Sequence, residues 1–524
     1  MKKAILFFTV IFISTISSSQ TPVIKWQKCM GGSDDDVAAQ IITDWDGNIL
    51  IGGSTLSNDG DIQLVSGYGN AVLIKIDTTG NLITSKCFGG ATNTTLGTFI
   101  KNDLKKSILI CGTTSSYDLD YFHGNQFTGG TDSYLLCVDS SNYQVWVRCY
   151  GGYDMDYGRQ VIECSDGGFL LVSQVQATSV NSGDIHGLYG FEDWWVVKTD
   201  SAGSILWSRC LGGTGHDLIV SGCQLSNGNL VITGVNSSTD GDVTCSTPSF
   251  ANRVVILDSL GNILIDDCFG SPFGTTGRDL FPTSDGGFFF GGSAYGNGGD
   301  VSGNHGQSDF WVYRSDSTGQ ILWSKCYGGT LDDALISFAP SSDGGFILTG
   351  ESYSRPGNIG MNPDVIVVKI DSIGNQEWLK YLGGTNSDVG MASAELPNGD
   401  VVVVATTKSV DGDLVSVPQH GWPGNNEEIW VVDLSQTSDI ASIDNYFSLL
   451  NVRRSPDGYE LTIQSEKSFK ATLRLVDLLG RVEYSSSEKL ETGSNHFFIP
   501  AGNLNSLNLL VISTAEGEKV VKLF

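Results

Sequence analysis

One phrase, Trp323-Ser-Lys-Cys-Tyr-Gly-Gly329, recurs along this chain at a nearly fixed interval. Its Gly-Gly pair begins at Gly31, Gly89, Gly151, Gly212, Gly328 and Gly383, with a Gly-Ser version at Gly270. Successive copies lie 58, 62, 61, 58, 58 and 55 residues apart. Such a period means one supersecondary unit written seven times, each burying its apolar faces only against its neighbours.

Two turn signatures divide each unit. After the first Gly-Gly, Asp36 to Thr43 alternates as a strand does, and Asp46-Gly47 turns the chain into Asn48 to Ser54. Asp-Gly and Asn-Gly supply the positive φ of a tight hairpin, and the same turn recurs at Gly167, Gly228, Gly286, Gly344 and Gly399. A longer polar loop leads to a third strand, Ala71 to Ile76, and Asp77-Thr-Thr-Gly80 turns into a fourth that ends at Cys87-Phe88. Four antiparallel strands, repeated seven times without helical periodicity, specify an all-β chain built on a seven-bladed β-propeller. The rungs of a parallel solenoid are shorter, about 20–30 residues, and lack paired hairpins.

The seventh unit has only three strands: Asp388 to Leu396, Asp400 to Thr407 and Glu428 to Leu434. The matching fourth strand is Val23 to Met30, so this N-terminal strand is expected to close the last blade and hide two sheet edges. Within the phrase, Trp26, Trp146, Trp207, Trp323 and Trp378 stand three residues before Cys29, Cys149, Cys210, Cys326 and Tyr381. Odd spacing on a strand puts them on opposite faces, and both faces of a blade are packed, so both positions read as core. An aromatic ladder for sugars is the alternative for the Trp set. Cys87 and Cys268 occupy the same repeat position as the other cysteines. Equivalent positions in neighbouring units lie too far apart to bridge, so all six repeat-position cysteines read as buried thiols. Cys111 and Cys137 read likewise, leaving Cys164, Cys223 and Cys245 as candidates for pairing.

Three acidic patterns could carry chemistry. Asp36, Asp156, Asp217, Asp333 and Asp388 stand four residues after the second Gly, where an Asp caps a turn by accepting backbone N–H bonds. The loop between second and third strands repeats Asp59-Gly-Asp61, Ser182-Gly-Asp184, Asp240-Gly-Asp242, Gly298-Gly-Asp300 and Asp411-Gly-Asp413. Asp-x-Asp in such loops can offer oxygens to Ca²⁺, which makes Asp59, Asp61, Asp240, Asp242, Asp300, Asp411 and Asp413 the candidate metal ligands. Self-capping is the competing role, since no loop holds the full twelve-residue calcium pattern. His123, His186, His305 and His420 follow in four of the loops, one per blade, unlike a clustered metal site. No nucleophile elbow, zinc-protease motif or phosphate loop occurs, so no catalytic residue and no other cofactor is assigned. Because the acids recur in register, an active site should break the repeat, as Cys245 to Phe250, Ser271 to Gly277 and Trp422 to Gly424 do.

Charge and the two ends bound the setting. Lys2 and Lys3 followed by an apolar stretch from Ala4 to Ile16 predict a signal peptide over residues 1–20, and no later run is long enough for a transmembrane segment. Residues 447–524 hold nine basic and nine acidic residues. The chain's formal charge of −28, together with the two signal-peptide lysines, therefore leaves about −30 on residues 21–446. So acidic a body repels nucleic acid and anionic lipid and favours cations, proteins or neutral glycans as partners.

The propeller is expected over 21–440 and a linker over 441–446. Residues 447–524 then read as a small C-terminal β-sandwich, from Tyr459–Ile463, Ala471–Val476, Asn495–Ile499, Leu507–Ile512 and Lys519–Phe524. Leu473-Arg-Leu-Val-Asp-Leu-Leu-Gly-Arg-Val482 and Gly517 to Lys522 resemble the type A sorting domains of the Bacteroidetes type IX secretion system, with Asp477, Gly480 and Arg481 as the matching core. The propeller units look like the repeats of exported proteins from that phylum. The resemblance implies export through the periplasm to the cell surface or medium, with the type IX machinery as partner. The functional expectation is a surface-attached or released module that binds glycan or protein. A carbohydrate-active enzyme on the same scaffold is the alternative.

Overall fold

The computed structural model describes residues 21–523 except 63–68, 91, 104, 116–129, 177–180, 246–250, 357–361, 421–425, 436–446, 456–457, 466, 478–481, 501–507 and 515–516. The signal-peptide stretch, His123 and Trp422 to Gly424 therefore lie outside the described residues. The chain divides into two compact units after Leu434; the expected boundary at 440 and the linker at 441–446 also fall outside what is described.

The first unit is the propeller. Seven four-stranded sheets follow one another: five are formed by consecutive strands, the third is interrupted by the short hairpin Asn181–Ser182 and Ile185–His186, and the seventh is Val23–Met30 beside Glu428–Ser435, Val401–Thr407 and Asp388–Glu395. Closure thus occurs as the repeat predicts. Trp430 Nε1 donates to Gln27 Oε1 at 3.1 Å, and Lys25 Nζ reaches Asp400 at 2.6 Å and the buried Asp433 at 3.6 Å. Met30 enters the core that the seventh blade shares with the first, and Cys29 enters the one it shares with the sixth. Every apolar cluster draws on two adjacent blades, because a blade has two apolar faces and no core of its own.

The first strands stand innermost. Asp36–Thr43, Thr94–Asn102, Met155–Glu163, Asp217–Gln224, Thr275–Pro282, Asp333–Pro340 and Asp388–Glu395 touch their neighbours all the way round. Their free edges are satisfied by side chains from the preceding blade: Gln40 Oε1 accepts from Phe99 N at 2.6 Å, Thr98 Oγ1 from Val161 N at 3.2 Å, Gln160 Oε1 from Gly222 N at 2.7 Å, and Ser221 Oγ from Leu280 N at 3.1 Å. An unpaired inner edge is otherwise a template for misassembly.

Turns on one face hold the hairpins. In the Asp-x-x-Gly turn, Asp77 Oδ1 accepts the N–H groups of Thr79 and Asn81, both at 2.9 Å, and Asp200, Asp258, Asp316 and Asp371 repeat the arrangement. The long second-to-third-strand loops and the connections between blades share the opposite face, called the loop face below.

One cysteine expectation is corrected. Cys268 is not a buried free thiol: it is bonded to Cys245, with Cα atoms 5.6 Å apart. The separation between repeats is irrelevant here, because Cys245 lies in the same blade, at the start of the fourth-unit insertion. Thr244, just before it, donates its N–H to Asp266 Oδ2 on the strand Ile263–Phe269 at 2.6 Å. The nine other cysteines are free and buried, and burial pushes the Cys29, Cys111 and Cys149 thiols well above their usual range, which makes them inert packing groups.

The second unit holds a three-stranded and a four-stranded antiparallel sheet. Tyr459, Leu461 and Ile463 alternate inward from one, and Ala471 and Leu473 from the other, as a sandwich requires. Sequence patterning misses two of its strands: Phe447–Ser455, whose alternation is broken by a bulge between Phe447 and Leu449, and Val482–Leu490, which is mostly polar. Asp477 ends the strand Phe469–Asp477, whereas Gly480 and Arg481 lie outside the described residues.

Candidate functional site

The repeated phrase is a coupler between blades. Its Trp packs on the turn glycine of the following blade: a Cβ on Gly80 would sit 2.8 Å from the Trp26 ring, one on Gly203 3.0 Å from Trp146, one on Gly261 3.1 Å from Trp207, and one on Gly374 2.7 Å from Trp323. The basic residue two places on donates to the same turn, as Lys325 does to the Ile373 carbonyl at 3.0 Å and Arg209 to Gly261 at 2.9 Å. Tyr150 and Tyr327 hydroxyls donate to the carbonyls of Gly203 and Gly374 at 2.7 and 2.6 Å. Where the first blade replaces Trp by Thr84, the next turn replaces Gly by Asn142, which still adopts φ 62°. These Trp are therefore packing elements and not a sugar ladder.

The first Gly of each pair sits between two polar side chains. One comes from the start of a third strand, the other from the first strand of the next blade. Five junctions pair acids: Glu428 with Asp36, Asp132 with Asp156, Asp193 with Asp217, Asp309 with Asp333, and Asp364 with Asp388. The two remaining junctions pair Asn70 with Thr94 and Asn252 with Thr275, so both members change together. The first-strand acids cap the connection as expected. Gly32, Gly152, Gly213, Gly329 and Gly384 donate their N–H groups to them at 2.6–2.8 Å. The third-strand partners are invisible in the sequence as a set, because Asn, Asp and Glu all fill the position.

Burial pushes the carboxyls of Asp132 and Asp156 up to about 7 and that of Asp193 up to about 6, with neighbouring carboxylates adding to the rise. A group raised in the folded state contributes stability that is present below its unfolded value, about 4, and is lost as pH rises through 6 to 7. His420, raised mainly by its hydrogen bond to Glu428, acts in the same direction. The melting temperature is therefore expected to rise as pH falls from 8 to 5. Below that the trend reverses, because Asp285, held down to about 2 by Thr283 and Arg314, becomes protonated. Copying a neutral junction with Asp132→Asn and Asp156→Thr should raise the melting temperature at pH 8 and flatten the slope. An unchanged slope in differential scanning fluorimetry would overturn this.

The loop acids occupy the same junctions. Asp59, Asp240 and Asp411 accept the N–H groups of Ser33, Thr214 and Thr385, each at 2.7 Å. Asp242, Asp300 and Asp413 accept from Gly212, Gly270 and Gly383 at 2.9–3.0 Å. The carboxylate of Asp61 lies 3.4 Å from His420 Nε2, while its N–H donates to the Gly31 carbonyl at 2.9 Å. Among the described residues, no group of three or more His, Cys, Asp or Glu could hold a metal ion. Side chains offset the junction acids: Arg355 reaches Asp364 at 3.0 Å, buried Arg253 pairs with Asp242 and Asp266, and His305 Nδ1 lies 2.7 Å from Asp309.

Two sets of residues break the register and escaped the sequence reading. Exposed aromatics stand on the loop face of the third to fifth blades: Tyr153 (61 % exposed), Tyr189, Phe191, Phe273 (70 %) and Tyr295. Phe273 lies inside the 271–277 irregularity. The other set lies on the innermost strands, where Arg159 and Arg278 share one repeat position and are both exposed. The available signal was the comparison of repeats column by column, which isolates these two arginines among small and apolar residues.

No family model matches the chain. A stretch of 136 residues is 28% identical to the regulatory protein FlaEY of Caulobacter vibrioides, covering 24% of this chain and 14% of that protein's length. Among solved structures, the WD40 domain of Neurospora crassa Pan2 is similar at 13% identity over 60% of this chain and 86% of that domain, with a TM-score of 0.32. A Trypanosoma rangeli sialidase in complex with sialic acid is similar at 8% identity over 85% of each chain, with a TM-score of 0.33.

Proposed function

We propose that this chain is an exported ligand-binding propeller whose C-terminal unit serves as a type IX sorting domain. The observation that carries the binding reading is the group of exposed aromatics on the loop face. Rings such as Tyr153, Tyr189, Phe191 and Phe273 are costly to leave in water and are enriched where a protein meets glycan or protein surfaces. The repeated acids, by contrast, are occupied with backbone N–H groups and with one another. Support for export is the Leu473 to Val482 resemblance, together with the apolar leader that follows Lys2 and Lys3.

Screening the purified chain on a glycan array, with polysaccharide hydrolysis assays run in parallel, tests the reading. Tyr189→Ala with Phe191→Ala should weaken the captured ligand at least tenfold, as loss of aromatic anchors does. Turnover abolished by one Asp or Glu substitution would replace binding by catalysis as the function. Deleting residues 447–524 should leave the protein in the periplasm, and undiminished surface delivery without them would overturn the sorting role.

A further inference from the structure

All seven innermost strands carry a bulge at the same place, and the extra residue is Ala39, Gly97, Val220, Ile336 or Met391 in five of them. In the third and fifth blades it is Arg159 and Arg278. A bulge re-aims the extra residue: Ala39 and Met391 still reach the clusters between blades, whereas the two arginines stay out of them. The five neutral ones are half-buried and the two arginines exposed, which on a strand enclosed by its neighbours means exposure toward the central axis.

Neither guanidinium makes a hydrogen bond or salt bridge among the described residues. The five other propeller arginines, Arg148, Arg209, Arg253, Arg314 and Arg355, all donate to a carbonyl or a carboxylate. Arg159 lies over the Tyr157 ring, 5.7 Å from its centroid, and close enough to Arg278 to feel its charge. The carboxylates acting on the pair are Glu192 and Glu351. Glu192 is engaged by His216 at 2.6 Å, and burial raises Glu351. Two like charges that feel each other, with only Glu192 and Glu351 to offset them, are unfavourable in the empty molecule, and their five donors each are arranged to fork onto an oxyanion.

We propose that Arg159 and Arg278 form an oxyanion-binding site in the axial channel. The site takes a small oxyanion, or a single carboxylate, sulfate or phosphate carried on an otherwise neutral ligand. A body charge of about −30 on residues 21–446 repels an extended polyanion before it reaches the axis. The proposal rests on the binding reading and supplies its ligand chemistry.

Calorimetric titration of the purified full chain at low ionic strength with sulfate, phosphate and glucuronate tests it, the first two probing inorganic oxyanions and the third a sugar acid. Saturable one-to-one binding of at least one probe is expected, weakened about ten- to a hundredfold by Arg159→Gln or Arg278→Gln. Arg148→Gln should leave it unchanged. Without oxyanion, Arg278→Gln should raise the melting temperature by relieving repulsion, whereas a merely structural arginine would lower it. No saturable binding, variants within twofold of the parent chain, or a fall in melting temperature on Arg278→Gln would overturn the site. Oxyanion binding that persists when the loop-face aromatics are removed and glycan or protein binding is lost would separate this site from the loop-face surface.

Discussion

A chain lacking Val23–Met30 is expected to lose its monomeric fold. The strand supplies the outer edge of the seventh blade, and its removal strips two adjacent cores of Cys29 and Met30 at once. Each buried apolar side chain contributes about 1.5–3 kcal/mol, so these two together approach half the net stability of an ordinary domain. Lys25 leaves with them, so the buried Asp433 loses its cation. The strand Glu428–Ser435 becomes an exposed and strongly apolar edge, the geometry that templates aggregation. Size-exclusion chromatography should show aggregates, and a synthetic peptide spanning residues 21–32 should restore part of the monomer. A monodisperse truncated chain melting within about 3 °C of the parent would refute the closure account.

The second large effect is expected at the first glycine of the repeated pair. A Cβ on Gly212 would fall on Asp193 Oδ1 and lie 2.7 Å from Asp217 Oδ2. Both carboxyls are fixed by backbone donors: Tyr189 N at 2.6 Å to Asp193, and Gly213 N at 2.8 Å to Asp217. Neither can withdraw without leaving a backbone N–H unpaired, so Gly212→Ala combines overpacking with a lost charge-assisted hydrogen bond, about 3–5 kcal/mol in all. Gly47→Ala is the control. Its φ of 80° favours glycine, but nothing lies within 4 Å of the added atom, so about 1 kcal/mol is expected. Urea unfolding of the two variants should show that ordering, and equal costs would mean the junction carboxyls are mobile.

What the sequence makes legible is whatever the repeat writes identically. Seven units, four strands each, the hairpin turns and the borrowed strand all follow from Gly-Gly, Asp-Gly and the absent fourth strand after Leu434. The capping role of Asp36 and its equivalents follows too, because one residue type serves one need. Positions where several residue types meet the same need are hidden: Asn70, Asp132 and Glu428 fill one structural slot, yet share no letter. The Cys245–Cys268 bond is hidden for another reason. It joins an insertion to the repeat, and spacing between repeats says nothing about where an insertion runs. Arg159 and Arg278 are plain in the sequence but mean nothing until a bulge turns them to the axis. The exposed rings of the loop face stand at irregular positions, so only the fold collects them.

The coupling phrase also has a direction. Trp26, Trp146, Trp207 and Trp323 each reach forward to the next blade's turn, so a newly made blade locks the one before it while its own far side stays open. Trp26 is the exception in time. It is made before any complete blade, yet its strand partner begins at Glu428, some four hundred residues later in the chain. The entropy of closing so long a loop grows only logarithmically and adds little to the equilibrium cost. Its kinetic weight is larger, since pairing of such sequence separation comes late. The ring should therefore mature through an open horseshoe with two unprotected edges, and refolding should show a slow last phase reported by Trp26 and Trp430.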